Sequence, residues 1–599
     1  MRANFRMIFD LLDRRERTKA IGLTGLVVLM GLLDVLGVAS VLPFLGVVAN
    51  PGLIESNAAL AWAHSATGSP SERTFLILLG LGAFLFVLFA ALFRAGTFYA
   101  LSYFTRMCVP SLSIRLMGHY LAQPYAWFLN RHSADLGKSI LSEVGNVVNG
   151  PIEASVRLVA HGVMLTTLVL FLLVLQPYAA LGSVVLFGGS YGLIYLFASG
   201  PLSRMGTQSI GSNRDRFQIL QEAMTGIKQV KLRGLERAYL ERFRLPAEIQ
   251  ARNQAALSVI SELPRQLLEV IAFGGMILFV LWLLLTREGG LAGIVPILGV
   301  YAFAAARLFP TIQQLFAAVS RIRFGQPALI QLHSELSGTS TQTPAGDDAG
   351  PAIPLRRCLE LDEVSFTFAG AAQPALNRLT LRIDARTTVG IVGTTGAGKT
   401  TTVDLILGLL HPDSGTLRVD GRPVLRNSIR DWQKSVGYVP QEIFLVDDTI
   451  AANIAFGTPS RAIDRAAVET AARVASLHDF VESSLPDGYD TVIGERGARL
   501  SGGQRQRIGI ARALYTDPDV LVFDEATSAL DSVTERAVMD AVRRLGHRKT
   551  VIMIAHRLST VRDCDKIFLM EQGRVVGEGT YGELRSRHEG FRAMVGGDA

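Results

Sequence analysis

Long uncharged apolar segments in the first half of the chain set the strongest limit on its fold. Residues 74–93 form a 20-residue segment without a charge, and residues 158–203 contain no Asp, Glu, Lys or Arg. A helix needs about 20 mostly apolar residues to cross the hydrocarbon core of a bilayer. Gln176-Pro177-Tyr178 divides the longer segment into two helices with a tight turn. Together with residues 20–48, 270–286 and 291–306, these segments predict six membrane spans.

The distribution of charge separates a membrane part from a soluble part and indicates an orientation. Hydrophobic residues make up 49% of the 599 residues, and they are concentrated before about residue 324. The loop at residues 201–264 carries ten arginines and lysines, whereas the loops at 51–72, 176–178 and 287–290 are nearly free of them. Because basic loops stay on the cytoplasmic side, we expect both termini and the soluble part in the cytoplasm.

Net charge and cysteine spacing argue against several other classes of protein. The formal charge of +7 fits basic loops beside anionic lipid, so no nucleic-acid partner is expected. Cys108, Cys358 and Cys564 are far apart and show neither a CxxC nor a Cys/His spacing, which disfavours zinc and a disulfide framework. Residues 1–19 mix acids and bases and show no cleavage site. They are expected to be retained as a short amphipathic helix along the membrane surface.

A phosphate-binding motif follows a Gly-, Ser-, Thr-, Pro- and Asp-rich linker at residues 337–354. Residues 388–392 predict a buried strand, after which Gly393-Thr394-Thr395-Gly396-Ala397-Gly398-Lys399-Thr400 opens a helix. The backbone N–H groups of such a loop point at the β- and γ-phosphates of ATP, and the helix N-terminus adds positive potential. Lys399 can reach the β/γ oxygens, and the Thr400 hydroxyl can hold Mg²⁺. With Thr401, these residues form the predicted ATP-binding loop.

Two further motifs follow the phosphate loop. The apolar segment Val520-Leu521-Val522-Phe523 ends in Asp524 and Glu525. Asp524 is expected to hold Mg²⁺, and Glu525 to polarise the attacking water, although either acid could instead cap the next helix. Between the phosphate loop and this pair, Ser501-Gly502-Gly503-Gln504 opens another helix, whose free N–H groups suit a γ-phosphate.

This order of three motifs resembles the nucleotide-binding domain of the ATP-binding-cassette (ABC) family. The resemblance implies an all-α six-helix transmembrane domain at residues 1–336, a linker at 337–355 and an α/β P-loop ATPase domain at 356–599. Gly494-Glu495-Arg496-Gly497, just before the signature, resembles a loop of exporters. In the family, the two long cytoplasmic loops end in short transverse helices that rest on the ATPase. Their tips are expected near Ser133–Lys138 and Thr225–Gly226.

The resemblance also implies roles for single residues and a partner. Gln441 matches the Q-loop, which senses the γ-phosphate and holds Mg²⁺, and His556 matches the switch histidine. Phe368 lies where the family stacks an aromatic ring on adenine, with core packing as the alternative. The signature Ser501–Gln504 binds ATP held by the other subunit's phosphate loop. One membrane half and one ATPase therefore imply a homodimer that encloses two ATP molecules with Mg²⁺.

Ionisable residues within the spans are the candidates for cargo binding. Arg265 and Arg307 are expected at a similar depth toward the inner leaflet, where they could hold an anionic head group such as pyrophosphate. Asp34 could pair with an arginine, receive a polar cargo or make a structural hydrogen bond. Arg265 could instead pair with Glu262 or Glu269, which lie at helical spacing to it.

Residues 226–232, 263–265 and 307–310 resemble bacterial flippases of lipid-linked oligosaccharides, as does the outer segment at 51–72. The resemblance implies ATP-driven transfer of a polyprenyl-diphosphate sugar across the inner membrane, in a pathway of glycosylation or surface polysaccharide. A multidrug, lipid or peptide exporter is the alternative, and an ATP-gated channel or regulator is a remote one. A soluble DNA-repair ATPase shares the three motifs, but it lacks the membrane spans.

Overall fold

The computed structural model describes residues 2–49, 52–67, 71–175, 177, 185, 188–286, 295–337, 350–494, 497–525, 540, 548–555 and 558–597. The chain divides into two compact units. The first comprises Met1–Ala122 and Arg131–Thr341, and the second comprises Gln123–Asn130 and Gln342–Ala599.

Helices build the first unit. Two turns of π-helix, Ser139–Glu143 and Val148–Ile152, lie on either side of a short α-helix at Val144–Val147. In chain order the helices are α1 (Arg2–Leu11), α2 (Arg14–Ala49), α3 (Leu53–Ser56), α4 (Ala58–Thr67), α5 (Glu72–Leu121), α6 (Tyr125–Leu129, in the second unit), α7 (Ser133–Lys138), α8 (Val144–Val147), α9 (Glu153–Leu175), α10 (Gly189–Thr225), α11 (Ile227–Arg233), α12 (Glu236–Thr286) and α13 (Val295–Ser337).

Several of these helices are long and apolar enough to cross a membrane. Within the described residues the stretches that meet this criterion are Arg14–Val48, Glu72–Leu121 and Ser133–Val174. They contain the predicted spans at 20–48 and 74–93 and the first part of the segment at 158–203. The predicted turns at 176–178 and 287–290 lie largely outside the described residues. The N-terminal helix is present as α1, and the outer segment folds into α3 and α4.

The tip of the first cytoplasmic loop differs from the prediction. Ser133–Lys138 forms α7 within the first unit, where Asp135 pairs with Arg214 at 3.1 Å. The short helix that belongs to the second unit is α6, whose Ala126 packs against the core of that unit. The reason is Pro124, which has no N–H to continue the ladder of α5 and begins α6 in its place. The predicted second tip at Thr225–Gly226 coincides with the junction of α10 and α11.

Two glycines set the close packing of the long helices. A Cβ atom on Gly206 of α10 would lie 2.0 Å from the carbonyl oxygen of Phe324 in α13. A Cβ atom on Gly325 would lie 2.5 Å from Cδ of Pro151, in the second π-helical turn. The backbone of α10 therefore meets the backbone of α13 at Gly206, and the Pro151 ring lies against the backbone of α13 at Gly325. A larger residue at either glycine would force these elements apart.

The second unit contains two sheets over hydrophobic cores. One has the strand order β2-β1-β4-β5 and is antiparallel; the other has the order β10-β9-β3-β8-β7-β6, with β9, β3, β8, β7 and β6 parallel. Parallel strands bring their carboxyl ends to one edge, where open α/β sheets bind ligands. The strands are β1 (Cys358–Phe366), β2 (Leu376–Asp384), β3 (Thr388–Gly393), β4 (Ser414–Val419), β5 (Arg422–Pro423), β6 (Val436–Val439), β7 (Val520–Asp524), β8 (Thr550–Ile554), β9 (Lys566–Glu571) and β10 (Arg574–Gly579).

Helices cover the sheets of the second unit, and the end of the predicted linker is attached to it. The backbone N–H of Ile353 donates to the carbonyl of Asp431 at 3.1 Å, and that of Leu355 donates to Oδ2 of Asp519 at 3.2 Å. The helices are α14 (Lys399–Ile406), α15 (Ile429–Gln433), α16 (Ile450–Ile454), α17 (Arg465–Val474), α18 (His478–Ser484), α19 (Gly502–Tyr515), α20 (Tyr581–Arg587) and α21 (Glu589–Gly597).

Candidate nucleotide-binding site

The phosphate loop lies between β3 and α14, and its glycines have two different tasks. A Cβ atom on Gly393 would lie 2.2 Å from the carbonyl oxygen of Met570, and one on Gly398 would lie 2.8 Å from that of Ala375. Gly396 and Gly398 have φ angles of 82° and 97°, which disfavour other residues. A Cβ on Gly396, however, would meet nothing within 4 Å. Gly393 and Gly398 therefore pack closely against neighbouring backbone, whereas Gly396 borders open space that fits a phosphate group.

Lys399 begins α14 and is held over the loop. Its Nζ donates hydrogen bonds to the carbonyl oxygens of Gly393 at 2.8 Å and Thr394 at 3.1 Å. Burial lowers the pKa of this ammonium group, against the opposing effect of the negative charges of Glu525 and Asp524. The remaining loop residues divide by exposure: Thr395 and Thr400 are exposed, whereas Ala397 and Thr401 are buried.

The two acids lie at the carboxyl end of β7, in the same parallel sheet as β3, the strand that precedes the phosphate loop. Asp524 is the last residue of the strand and is buried, with the Tyr438 hydroxyl donating to its Oδ2 at 3.4 Å. Glu525 accepts a hydrogen bond at 2.8 Å from Nε2 of Gln441. Its φ of 51° lies in the left-handed region, which costs a non-glycine residue about 1 kcal/mol or more. The structure thus brings Glu525 and Gln441 together in a strained, fixed arrangement.

The signature residues form the start of a helix, as predicted. Ser501 is the N-cap of α19: its Oγ accepts from the N–H of Gln504 at 3.3 Å, while Oε1 of Gln504 accepts from the N–H of Ser501 at 2.8 Å. This capping box satisfies two of the free donors at the helix start. Gly502 and Gly503 follow without side chains that would cover the remaining N–H groups.

Other predicted site residues are less closely tied to this arrangement. Phe368 packs partly against the core and meets the Phe366 ring edge-on, with centroids 5.0 Å apart. This is the core contact that was the alternative to adenine stacking. His556 and the loop residues Glu495 and Arg496 lie outside the described residues.

Three residues near the site were missed by the sequence analysis. Tyr438 precedes Gln441 by three positions and bonds Asp524, as given above. Asp404, one helical turn after Thr400 in α14, has its pKa raised to about 6, first by burial and then by the negative charge of Asp524. Tyr125 of α6 has a raised pKa through burial and through the charge of Asp404. The four-residue spacing between Thr400 and Asp404, which places both on one face of α14, is the feature of the sequence that could have indicated Asp404.

Comparison with known proteins identifies the family. Residues 376–528 match the family described as ABC transporter, and residues 35–292 match the ABC transporter transmembrane region. The ATP-dependent lipid A-core flippase of Cupriavidus metallidurans is 31% identical over 498 residues, which is 82% of either chain. That of Chromohalobacter salexigens is 32% identical over 510 residues, 83% of this chain and 85% of the relative. The chain belongs to the ABC transporter family.

Two other proteins match this ABC transporter in part or in fold. The heterocyst differentiation ATP-binding protein HepA of Nostoc sp. is 46% identical over 230 residues, or 38% of this chain and 37% of HepA. The structure of a bacterial Atm1-family ABC exporter with ATP bound covers 98% of this chain and 99% of its own, with a TM-score of 0.77 and 24% identity. The predicted fold class is therefore confirmed. The protein is a multi-pass membrane exporter that binds ATP and couples its hydrolysis to transport.

Two of the three predicted cargo residues of the transporter, Asp34 and Arg265, make ion pairs inside the first unit. Asp34 in α2 accepts from Nη1 of Arg94 in α5 at 3.3 Å, so an arginine is a partner of this carboxylate, as one of the three alternatives expected. Arg265 pairs with Glu269 at 2.9 Å, the alternative that its helical spacing allowed, and its side chain is 51% exposed. Arg307 lies in α13, but its side chain is not among those that the structure describes.

Proposed function

We propose that this ABC transporter is a homodimeric flippase of the bacterial inner membrane whose cargo is a lipid-linked oligosaccharide, a polyprenyl-diphosphate sugar. The observation that carries the proposal is the match to proteins named as lipid A-core flippases over 82% of this chain. Because that match extends through the membrane part, it concerns the cargo-handling helices as well as the ATPase. The relatives support a lipid cargo, and the segments at 226–232, 263–265 and 307–310 favour the polyprenyl-diphosphate class.

The proposed domains are the transmembrane domain at 1–336, the linker at 337–355 and the cytoplasmic ATPase domain at 356–599. Two chains would face each other so that the phosphate loop of one meets the signature of the other. Binding of ATP then closes the ATPase pair and turns the membrane cavity outward, and hydrolysis resets it. The start of α19 supports this arrangement, since Ser501, Gly502 and Gly503 present N–H groups at a helix N-terminus.

The residues around the phosphate loop would divide the chemistry between them. Mg²⁺·ATP supplies the phosphoryl group and a metal ion that neutralises charge on its oxygens. Lys399 and the loop N–H groups would hold the phosphates, and Thr400, Asp524 and Gln441 would hold the metal. Glu525 would take a proton from water, with Gln441 fixing its carboxylate through the 2.8 Å hydrogen bond. His556 would orient the same water.

In the membrane domain, Arg265 and Arg307 would hold the diphosphate of the cargo. Arg265 is half-exposed and its pair with Glu269 lies within one helix, so a diphosphate can replace the glutamate without moving a second helix. Asp34 forms an ion pair with Arg94 at 3.3 Å. We therefore propose for Asp34 a part in fixing α2 against α5, with direct contact to a polar cargo as the weaker role.

ATP hydrolysis by the purified transporter in liposomes tests the cargo. The additions are a polyprenyl-diphosphate oligosaccharide, a lipid A-core glycolipid and a panel of hydrophobic drugs. We expect stimulation by the oligosaccharide lipid that is lost in Arg307→Ala but kept in Arg204→Ala, which removes an exposed arginine of α10. Stimulation by drugs alone would contradict the lipid cargo and favour multidrug export.

A lipid A-core glycolipid is the second candidate cargo, because the relatives that align over most of the chain carry that name. The same assay separates the two candidates. Stimulation by the lipid A-core glycolipid without any by the polyprenyl-diphosphate sugar would replace the first proposal by the second.

A further inference from the structure

A polar cavity of about 510 Å³ lies within the first unit, between α9, α10, α12, α13 and the π-helical turns. This is in the range of small-molecule sites. Many of its lining side chains carry hydrogen-bonding groups: of 21 lining residues, six are Asn or Gln, three are Ser and four are charged. Gln313 and Gln314 of α13 lie in it, six and seven residues beyond Arg307, or about 10 Å along the helix.

One wall of the cavity carries a buried polar group that is not satisfied by the protein. Ser261 of α12 lines the cavity and is only 6% exposed, and its Oγ has no hydrogen-bond partner among the described residues. Buried hydroxyls are nearly always hydrogen-bonded, because an unpaired one has lost its hydration without compensation. Because Ser261 is part of the cavity wall, a molecule that enters the cavity could supply the missing partner of its hydroxyl.

Two amide side chains of the cavity, Gln313 and Asn149, are each held at one end. Nε2 of Gln313 donates to Oε2 of Glu262 at 2.9 Å, and Oδ1 of Asn149 accepts from Nη1 of Arg106 at 2.7 Å. An amide has both an acceptor oxygen and an NH₂ group. Gln313 thus keeps an oxygen for a ligand, while Asn149 keeps its NH₂ group, and both are fixed in orientation by their protein partners.

These groups suit a sugar better than other cargo chemistry. A sugar hydroxyl donates and accepts at once, which matches a wall of half-used amides and serines, and the ring of Phe324 in the cavity can pack on a C–H face. The lining charges balance, with Glu143 and Glu262 against Arg157 and Arg321, so an anion gains no net attraction. An acyl chain or an apolar drug would leave the polar walls desolvated and unpaired.

We infer that this cavity binds the uncharged sugar head group of the cargo on the cytoplasmic side, with Ser261, Gln313 and Gln314 as contacts. The inference rests on the proposed function, which supplies the lipid-linked sugar. The cavity lies on the linker side of Arg307 along α13, so a diphosphate near Arg307 would leave the sugar within reach of it. Ser261 and Glu262 are likewise one helical turn from Arg265 in α12.

Substitution of the orphaned serine tests the inference with a close control. Ser320 in α13 is also buried, and its Oγ also has no hydrogen-bond partner in the part of the chain that the structure describes, but it does not line the cavity. In liposomes, we compare stimulation of ATP hydrolysis by undecaprenyl-diphosphate N-acetylglucosaminyl disaccharide and by undecaprenyl diphosphate without sugar. In the wild type, we expect the lipid with sugar to stimulate hydrolysis half-maximally at a concentration about tenfold lower than the lipid without sugar. Ser261→Ala should reduce that preference about fivefold, as for one hydrogen bond, and Ser320→Ala should not.

A labelling experiment tests the cavity without the lipid. Ser261→Cys should react with a small methanethiosulfonate reagent and be protected by millimolar N-acetylglucosamine disaccharide, whereas Thr207→Cys, exposed beside the cavity on α10, should react without protection. The natural cysteines are all buried.

The two experiments separate failure of the cavity from failure of the cargo. Protection by the disaccharide, with no lipid stimulating hydrolysis, would refute the proposed cargo and support sugar binding. Stimulation by both lipids with no sugar preference and no protection would overturn the cavity assignment and leave the cargo standing. Protection by a hydrophobic drug in place of the sugar would also overturn it, as would equal effects of Ser261→Ala and Ser320→Ala.

Discussion

At the scale of single residues, the best-defined feature is the pair Gln441–Glu525. Glu525 is held at a φ of 51° directly after β7, and its carboxylate is bonded to Gln441. Such strain persists only where the surrounding structure enforces it, and it is concentrated at functional sites. An N-cap residue normally has an extended backbone, so this left-handed conformation argues against the alternative that Glu525 caps the next helix. The role of Glu525 at the γ-phosphate stays a prediction.

Substitution Glu525→Gln should abolish hydrolysis and preserve ATP binding. Glutamine keeps the size and a hydrogen bond to Gln441 but cannot accept the proton of water, so we expect the rate of phosphate release to fall at least about 100-fold. The same substitution should increase the amount of radiolabelled ATP that stays bound to the protein after rapid desalting. Glu442→Gln, next to the Q-loop glutamine, is the matched control. Hydrolysis at the wild-type rate by Glu525→Gln would refute its role as the base.

Asp404 should make stability depend on pH in a defined direction. Its pKa is raised from 3.8 to about 6 in the folded chain, so the native state binds this proton more tightly than the unfolded state. Its contribution is favourable at low pH and is lost as the pH rises through about 6. Asp404→Asn should therefore stabilise the ATPase domain at pH 8 by about 1 kcal/mol, after allowance for its partial exposure.

Thermal unfolding of the full-length protein at two pH values measures this effect. The gain at pH 8 corresponds to a rise of about 3 °C in the Tm of the ATPase transition, and it should shrink at pH 5, where native Asp404 is largely protonated. Asp447→Asn, at an exposed position, serves as the control. A gain that is larger at pH 5 than at pH 8 would contradict the direction of the shift.

At the scale of elements, periodicity and apolar length predicted most of the architecture. The strand predicted at 388–392 is β3, and the apolar segment at 20–48 lies within α2. The predicted first tip was wrong because Pro124 begins a separate short helix, α6, and helical periodicity does not show that α6 rather than α7 belongs to the second unit. Asp404 was missed for a similar reason: its pKa depends on burial and on Asp524, which is 120 residues away in sequence.

The helix α10 offers a test of packing with two glycines. Gly206→Ala should destabilise the membrane domain by about 1–3 kcal/mol, because its Cβ would overlap the Phe324 carbonyl of α13. Gly211→Ala, five residues along the same helix, would meet nothing within 4 Å and should be neutral or stabilise the helix by up to about 1 kcal/mol. The fraction of monodisperse protein after heating in detergent reports both. Equal loss in both variants would show that α10 tolerates neither substitution and that close packing on α13 is not the cause.

At the scale of the whole molecule, the proposed ATP sites depend on a second copy of the chain. If each ATP site combines the phosphate loop of one subunit with the signature of the other, two defects can be distributed in two ways. With Lys399→Ala in one subunit and Ser501→Arg in its partner, both defects fall in one site and the other site stays intact. With both substitutions in one subunit and a wild-type partner, each site carries one defect.

Differently tagged subunits, co-expressed and purified through both tags, allow this comparison. We expect the dimer with the substitutions on separate subunits to retain hydrolysis and vanadate-trapped nucleotide at up to about half of the wild-type level, since one of two sites survives. The dimer with both substitutions on one subunit should retain almost none. Sites complete within single chains predict the reverse, because only the second dimer then keeps an intact chain. The order of the two activities therefore decides whether the signature helix α19 completes the site of its own chain or that of the partner.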